Sequence, residues 1–266
     1  MAPYHPKKRL GQHFLTSQET IDRIIERINP KPEQNIIEIG PGQGVLTRPL
    51  AESGASVLAV EFDEDLMRHL KRNLSKYTNV KILCLDFLEF DPDKDIFTSF
   101  KLVGNIPYNI TSPVIDWCVR HHEVIDSAVL MVQKEIAGRL AAAPKNKDWS
   151  PLSVFTQLYY TVKVLFDVPP ESFDPPPKVY SSVIELVPRI KIRVGDFARF
   201  EKVVRQSFAQ RRKFLLNNLV PDIIPDGDTA GQIVTELGFK ENVRAEELSI
   251  DQFLKLTNCL IAHNII

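Results

Sequence analysis

Short apolar runs rich in β-branched residues recur along this 266-residue chain up to residue 187, and they limit its fold more than any other feature. Helical spacing of apolar residues fills the intervals between the first five runs, as at Leu66, Leu70 and Leu74. Strands that alternate with helices predict successive right-handed β-α-β units and a parallel sheet. The seven predicted strands are residues 36–39, 57–61, 80–85, 102–104, 128–132, 159–168 and 181–187.

The last predicted strand differs from the others in how the chain reaches it. Only residues 169–180, a loop with five prolines, separate it from the strand before, and this loop is too short for a crossover helix. The last strand is therefore predicted to be antiparallel. After Pro188 the pattern becomes wholly helical, with helices predicted at residues 229–238 and 249–262. We expect an α/β domain with a seven-stranded, mostly parallel sheet over residues 1–188 and a small all-helical domain over residues 189–266.

The composition is typical of a soluble globular protein, with 44% apolar and 25% charged residues. The chain has no apolar run long enough for a membrane span. The apolar segment that follows the basic residues of a secretory signal is also missing from its N-terminal sequence. The three cysteines lie far apart, and the adjacent pair His121 and His122 would point in different directions on a helix. We therefore expect a cytoplasmic protein with reduced thiols, no membrane contact and no metal site.

The formal net charge of −1 conceals a local excess of positive charge. Between Arg189 and Lys213 there are nine Lys or Arg residues and only two acidic ones, and Lys7, Lys8 and Arg9 add to the basic side chains. Such segregation is typical of a basic surface that contacts phosphates. The alternative is that residues 199–213 form the solvated face of a helix.

Glycines and acidic residues follow the first three predicted strands. The turn Gly40-Pro41-Gly42-Gln43-Gly44 has Val45 where the dinucleotide fingerprint G-x-G-x-x-G has its third glycine. This departure favours a nucleoside without a pyrophosphate. Glu61 can accept both ribose hydroxyls, while Asp86 and Phe87 suit the amino group and one face of adenine. Together these residues predict an S-adenosylmethionine site.

The fourth strand leads into Asn105-Ile106-Pro107-Tyr108, which resembles the N-[LIP]-P-[YF] motif of class I amino-methyltransferases. An adenine amino nitrogen is a poor nucleophile, so catalysis needs acceptors that orient it and stabilise the developing positive charge. The Asn105 side-chain oxygen and a backbone carbonyl held rigid by proline could accept its two N–H bonds, and Tyr108 could stack on a flipped base. The alternative is a proline turn closed by a core tyrosine.

Four stretches together resemble the bacterial small-subunit rRNA adenine N6,N6-dimethyltransferases, the KsgA/RsmA family. They are residues 8–15, 103–110, 173–179 and 210–213. The resemblance implies a Rossmann-like class I methyltransferase domain followed by a helical RNA-binding domain. It also implies S-adenosylmethionine-dependent dimethylation of two adjacent adenosines in a loop near the 3′ end of 16S rRNA, with a role in small-subunit biogenesis.

The same resemblance implies a set of site residues. The N-terminal stretch would close over the methionine part of the cofactor, and because the family often has Asn at the position of His13, we expect that contact through backbone or edge polarity. The implied cofactor residues are His13, Leu15, Gly40, Glu61, Asp86 and Asn105, and the catalytic residues are Asn105 and Tyr108.

Four further residues are candidates for RNA binding. Phe173, in the proline-rich loop, could face the target adenine from the side opposite Tyr108, or it could plug the sheet edge. Lys178, Arg211 and Arg212, with Lys213 beside them, should meet RNA phosphates and give binding that weakens with salt.

Two other functions stay open at this level. One is an Erm-type methyltransferase of large-subunit rRNA, and the other is a non-catalytic ribosome-assembly or transcription factor on the same fold. The motifs at residues 173–179 and 210–213 favour the small-subunit enzyme over the first, and the intact site residues argue against the second. The expected partner is small-subunit rRNA or a 30S precursor, bound by a monomer.

Overall fold

A computed structural model of the protein describes residues 7, 11–92, 99–189 and 195–266. Residue contacts divide the chain into two compact units. The first comprises Met1–Gly138 and Tyr160–Pro188, and the second comprises Arg139–Tyr159 and Arg189–Ile266. Among the described residues, no helix combines the length and the apolar character that a bilayer span requires.

The first unit is built on a seven-stranded sheet, which confirms the predicted α/β class. In chain order its described strands are β1 Phe14–Leu15, β2 Asn35–Ile39, β3 Ser56–Glu61, β4 Val80–Cys84, β5 Phe100–Asn105, β6 Ile125–Gln133, β7 Tyr160–Val168, β8 Phe173–Asp174 and β9 Ser181–Pro188. The large sheet has the order β4-β3-β2-β5-β6-β9-β7. Strands β2 to β6 are mutually parallel, and β9 is antiparallel to both of its neighbours, as the short loop before it predicts.

Helices cover the sheet between the strands. Those of the first unit are α1 Gln18–Ile28, α2 Thr47–Glu52, α3 Glu64–Asn73 and α4 Thr111–Arg120, and α5 Lys134–Leu140 follows β6. Ser17 and Asp63 cap the first turns of α1 and α3 with their side chains, which satisfies backbone N–H groups that have no partner within the helix. Strand β2 is buried along almost its whole length because both of its faces are covered.

A two-stranded ladder outside the large sheet fixes the N-terminal segment. β1 pairs with β8 in antiparallel register, Phe14 opposite Asp174 and Leu15 opposite Phe173. The backbone N–H of Thr16 donates to the carbonyl of Ser172 at 2.8 Å and extends the ladder. The ladder therefore joins the segment before α1 to the proline-rich loop.

The second unit is helical. Its helices are α6 Pro151–Tyr159, α7 Phe197–Ser207, α8 Leu215–Leu219, α9 Gly227–Glu236 and α10 Ile250–Ala262. Residues 139–159, which sequence reasoning places in the first domain, pack here instead. The Trp149 indole donates to the Leu248 carbonyl at 3.0 Å, and Phe155 packs edge-on against Phe197 and Phe200. The expected boundary at residue 188 coincides with the last division between the units.

Candidate functional site

A cavity of about 260 Å³ opens where β2, β3 and β5 end. The carboxyl ends of parallel strands meet at one edge of the sheet, and this edge is where open α/β folds bind ligands. All six residues predicted to bind the cofactor line this cavity, as do the two predicted catalytic residues: His13, Leu15, Gly40, Glu61, Asp86, Asn105 and Tyr108.

The glycine turn after β2 forms one wall of the cavity. Gly40 and Gly42 have φ of 58° and 57°, a left-handed conformation that side chains disfavour. A Cβ on Gly42 would lie 3.1 Å from the Phe14 ring, whereas a Cβ on Gly40 would meet no atom within 4 Å. The turn is thus packed on one side by β1 and open at Gly40, where a ligand can approach the backbone.

The carboxylate of Glu61 is held rigidly at the end of β3. One oxygen accepts from the backbone N–H of Asp63 at 2.8 Å and the other from that of Gly42 at 3.3 Å. Burial raises the pKa of Glu61 above its ordinary value, although these donors oppose the shift. Each oxygen keeps a lone pair that can accept from a ribose hydroxyl.

Asp86 and Phe87 lie at the next position along the edge. The Asp86 carboxylate accepts from the Leu88 N–H at 3.0 Å, which fixes the turn that follows β4. Phe87 is buried and packs against Trp117 with ring centroids 4.5 Å apart. Both residues line the cavity where the sequence places them.

Glu38 and Phe62 are among the residues of this cavity that were not predicted from the sequence. Glu38 is fully buried in β2, and burial raises its pKa to about 8, although the neighbouring Thr47 hydroxyl opposes the shift. Phe62 follows Glu61 and is 61% exposed, although it lines the cavity. Phe62 could have been found from the sequence because it directly follows Glu61, whereas a single acidic residue within the apolar run of β2 does not show which way its side chain points.

The side-chain amide of Asn105 is oriented by the N-terminal segment. Its nitrogen donates to the backbone carbonyl of His13 at 2.9 Å. Because a carbonyl oxygen can only accept, this bond identifies the amide nitrogen and leaves the Oδ1 atom as the outward acceptor. The backbone of His13 therefore contacts the side chain of Asn105, which is a predicted catalytic residue.

The His13 ring connects three parts of the site. Its Nδ1 lies 2.7 Å from the Pro175 carbonyl and must carry a proton there, because that oxygen only accepts. The ring also stacks against Tyr108 with centroids 5.8 Å apart, and the Tyr108 hydroxyl lies 2.8 Å from the Ser181 hydroxyl. Tyr108 is half-buried, so part of its ring is accessible.

The Lys7 ammonium ties the N-terminal segment to the turn after β3. It forms ion pairs with Asp63 at 2.7 Å and with Asp65 at 2.8 Å. Asp63 is the residue whose N–H donates to Glu61, so Asp63 supports both the N-terminal segment and the Glu61 carboxylate. Lys8 and Arg9, the basic residues of the same motif, and residues 190–194 of the second basic run lie outside the described residues.

Phe173 does not reach the cavity. Its ring is only 4% exposed and belongs to the apolar core of the first unit, with Leu15 and Val183. In this structure the expected clamp with Tyr108 is not formed, because the β1–β8 pairing turns the Phe173 ring toward the core. The packing interpretation accounts for its burial.

The predicted phosphate-binding residues are exposed, but they differ in their contacts. Arg211 lies in the turn between α7 and α8, and its guanidinium donates to the carbonyls of Lys147 and Trp149 in the second unit. Arg212 and Lys178 are exposed in the turn and in the proline-rich loop, respectively. Arg211 thus stabilises its own unit, a structural role that the sequence does not predict.

The second unit also contains one group of potential metal ligands among the described residues. Single ligand atoms of Glu236, Cys259 and His263 all lie within 4.8 Å of one another. Glu236 and His263 already pair at 2.9 Å.

Comparison with known proteins gives a consistent result. A family model described as ribosomal RNA adenine dimethylase matches residues 5–262. The chain is 40% identical to the ribosomal RNA small subunit methyltransferase A of Xylella fastidiosa strain Temecula1, over 95% of each chain. It is also 40% identical to the protein of that name from Xanthomonas campestris pv. campestris strain B100, over 96% of this chain and 97% of the other.

Solved structures agree with this result. A dimethyladenosine transferase from Plasmodium falciparum superposes with a TM-score of 0.79 and 26% identity, covering 92% of this chain and 96% of the other. The 23S rRNA methyltransferase ErmE superposes with a TM-score of 0.71 and 28% identity, covering 93% and 99%.

Proposed function

The chain belongs to the ribosomal RNA adenine dimethylase family, and we propose that it dimethylates N6 of two adjacent adenosines in small-subunit rRNA. The observation that carries the proposal is the bond from the Asn105 amide nitrogen to the His13 carbonyl. It presents the Asn105 Oδ1 as an acceptor beside a cavity that has the features of a nucleoside site. The names of the 40% identical relatives support the small subunit as the target.

The cofactor is S-adenosylmethionine, and it supplies a methyl group on a positively charged sulfur. The residues of the cavity fit it. Glu61 would accept from the ribose hydroxyls, Asp86 from the adenine amino group, and Phe62 would cover one face of the ring. The methionine part would lie along Gly40, beneath His13 and Leu15 of the N-terminal segment.

Asn105 would act on the target amine. Its Oδ1 and the carbonyl of Ile106, which the Pro107 ring restrains, would accept the two N–H bonds of adenine N6 in the first transfer, and one of these acceptors would hold the single N–H that remains for the second. These bonds would orient the nitrogen and stabilise the positive charge that develops on it when it takes the methyl group from the sulfonium. The methylated amine then releases one proton to water, so the chain needs no strong general base. Tyr108, braced by His13 and Ser181, would stack on the flipped base.

The second unit would contribute RNA binding. Its turn between α7 and α8 exposes Arg212 and Lys213, which suit phosphate contacts. We place the protein in the cytoplasm, where it would act as a monomer on a 30S precursor.

One experiment separates this function from its two alternatives. Undermodified 30S and 50S subunits are incubated with the protein and methyl-labelled S-adenosylmethionine, and primer extension then locates the modified positions. We expect label and stops at two adjacent adenosines of the small-subunit RNA, and neither with Asn105→Ala. Stops only in the large-subunit RNA would favour methylation of 23S rRNA, the alternative that the likeness to ErmE suggests. Subunit binding without any label would favour a non-catalytic assembly factor.

A further inference from the structure

Three side chains of different chemistry converge at one place in the second unit. The Glu236 carboxylate, the Cys259 thiol and the His263 imidazole each offer one ligand atom, and these atoms all lie within 4.8 Å of one another. None of the three residues lines the cofactor cavity, and the proposed function gives them no role.

Two helices bring these residues together. Cys259 and His263 are four positions apart at the end of α10, and side chains with this spacing lie on the same face of a helix. Glu236 is the last residue of α9. Two ligands at positions i and i+4 of one helix form part of well-known zinc sites. Neither the cysteine spacing nor the pair His121 and His122 reveals this grouping, so the sequence predicts no metal site.

The ends of both helices are fixed in the same way. Gly238 and Asn264 follow α9 and α10 with left-handed φ of 67° and 54°, and the residue after each donates its N–H back into the helix. The backbone that carries Glu236 and His263 is therefore well defined. The C-terminal end of a helix also carries a partial negative charge, and two such ends beside the group favour a cation.

The three ligand atoms already face one another. His263 Nε2 lies 2.9 Å from Glu236 Oε2, and these two side chains are 50% and 57% exposed. Cys259 is only 8% exposed. Burial and the nearby Glu236 carboxylate raise the pKa of the Cys259 thiol, so a metal ion displaces its proton on binding. The group thus combines a sheltered sulfur with an open side through which an ion and a water molecule can enter.

From this convergence we propose that Glu236, Cys259 and His263 bind a zinc ion, with water as the fourth ligand. Thiolate, imidazole and carboxylate are the ligands that zinc takes in tetrahedral geometry, whereas Mg²⁺ and Ca²⁺ take oxygen ligands. Tetrahedral ligands at zinc bond lengths lie about 3.5 Å apart, so shifts of about 1 Å bring these atoms onto one ion. The bound ion links the ends of α9 and α10 and stabilises the second unit. The inference does not depend on the proposed function.

The test titrates Co²⁺, a spectroscopic substitute for zinc, into the full-length protein after a chelator has removed bound metals. A thiolate ligand gives a charge-transfer band in the near ultraviolet, and tetrahedral coordination gives intense visible bands. Glu236→Gln, Cys259→Ser and His263→Gln each remove one ligand. Cys84→Ser, which removes the exposed thiol of β4, is the matched control. Circular dichroism shows whether each metal-free variant is folded, and the two variants at exposed positions keep the test decisive if Cys259→Ser does not fold.

We expect the wild type and Cys84→Ser to bind one Co²⁺ with both sets of bands, and Zn²⁺ to displace it. Loss of Glu236 or His263 should weaken binding by at least about tenfold, and Cys259→Ser should lose the charge-transfer band. Zn²⁺ should raise the Tm of the wild type more than that of any of the three ligand variants.

Three results would overturn the inference. They are a wild type without the charge-transfer band, a band that survives in Cys259→Ser, and equal Co²⁺ affinities in wild type, Glu236→Gln and His263→Gln. A wild type that transfers no methyl group to ribosomal subunits would refute the proposed function, and the metal titration would still decide the role of these three residues.

Discussion

The amide nitrogen of Asn105 donates to the backbone carbonyl of His13 at 2.9 Å, which joins the end of β5 to a segment 92 residues earlier in the chain. The same His13 contacts Pro175 through its ring and stacks on Tyr108. The proposed catalytic asparagine is therefore oriented by the backbone of the segment that borders the cofactor cavity. The N-terminal segment thus borders the cofactor cavity and also orients the side chain proposed to hold the target amine.

Asn105→Asp tests this orientation. The carboxylate keeps the size of the side chain but places an oxygen that cannot donate against the His13 carbonyl oxygen, so the hydrogen bond is lost and the two oxygens repel each other. We expect kcat for methylation to fall by about 10²–10³, the usual cost of losing one preorganised group that stabilises transition-state charge. Binding of 30S subunits should stay near the wild-type value. Full activity in Asn105→Asp would show that the amide nitrogen has no orienting role.

The buried carboxyl group of Glu38 predicts a pH dependence of stability. Its pKa is about 8 in the folded protein, against an ordinary 4.5 that the unfolded chain would show. Between these values the folded state keeps a proton that the unfolded state releases, so this group lowers the free energy of unfolding as pH rises, by roughly 1.4 kcal/mol per pH unit.

Glu38→Gln should remove this contribution, so its stability relative to the wild type should increase between pH 5 and pH 8. Urea unfolding at several pH values measures the difference. Glu89→Gln, at an exposed carboxylate, is the control and should show no such trend. A constant difference between Glu38→Gln and wild type across this range would contradict a buried, protonated Glu38.

The two glycines of the turn after β2 should respond differently to alanine. At Gly40 the new methyl group meets open space, so only the left-handed backbone is strained, at about 1–2 kcal/mol. At Gly42 the methyl group would also lie 3.1 Å from the Phe14 ring. We expect Gly42→Ala to lose more stability than Gly40→Ala in thermal unfolding, and Gly40→Ala to lose more cofactor affinity relative to its stability loss. The opposite order of stabilities would contradict the packing of β1 against the turn.

Adjacent arginines in the second unit form a matched pair. Arg211 donates to two backbone carbonyls, whereas Arg212 is exposed in the same turn. Arg211→Ala should lower the free energy of unfolding by about 1 kcal/mol. Arg212→Ala should leave stability unchanged, weaken 30S binding and reduce the slope of log Kd against log salt by about 1. If both variants lost stability equally, Arg212 would have a structural role instead.

Much of the fold is predictable because buried parallel strands appear in the sequence as continuous apolar runs. The cofactor residues are predictable for a related reason, since Gly40, Glu61 and Asp86 lie at or just after the ends of parallel strands, and those ends converge at one edge of the sheet. Glu38 is the exception at this edge, because a charged residue within an apolar strand gives no indication of which way it points.

Other features depend on contacts that no local pattern contains. The β1–β8 ladder is two residues long on each side, too short to show a period, yet it decides that Phe173 faces the core. Residues 139–159 read as part of the first domain because they precede β7 in the chain, but Trp149 and Phe155 pack with later helices. Arg211 is basic and exposed, and only the turn it contacts shows that it stabilises its own unit.

A crystal structure of the protein with sinefungin and an RNA hairpin carrying the target adenosines tests the central claim most directly. The distance from Asn105 Oδ1 to N6 of the target adenine decides the matter. We predict about 2.9 Å, a hydrogen-bond length, with the amide nitrogen still on the His13 carbonyl and the adenine ring against Tyr108. An Oδ1 turned away from N6, or an adenine that enters the cavity without contacting Asn105, would contradict the account.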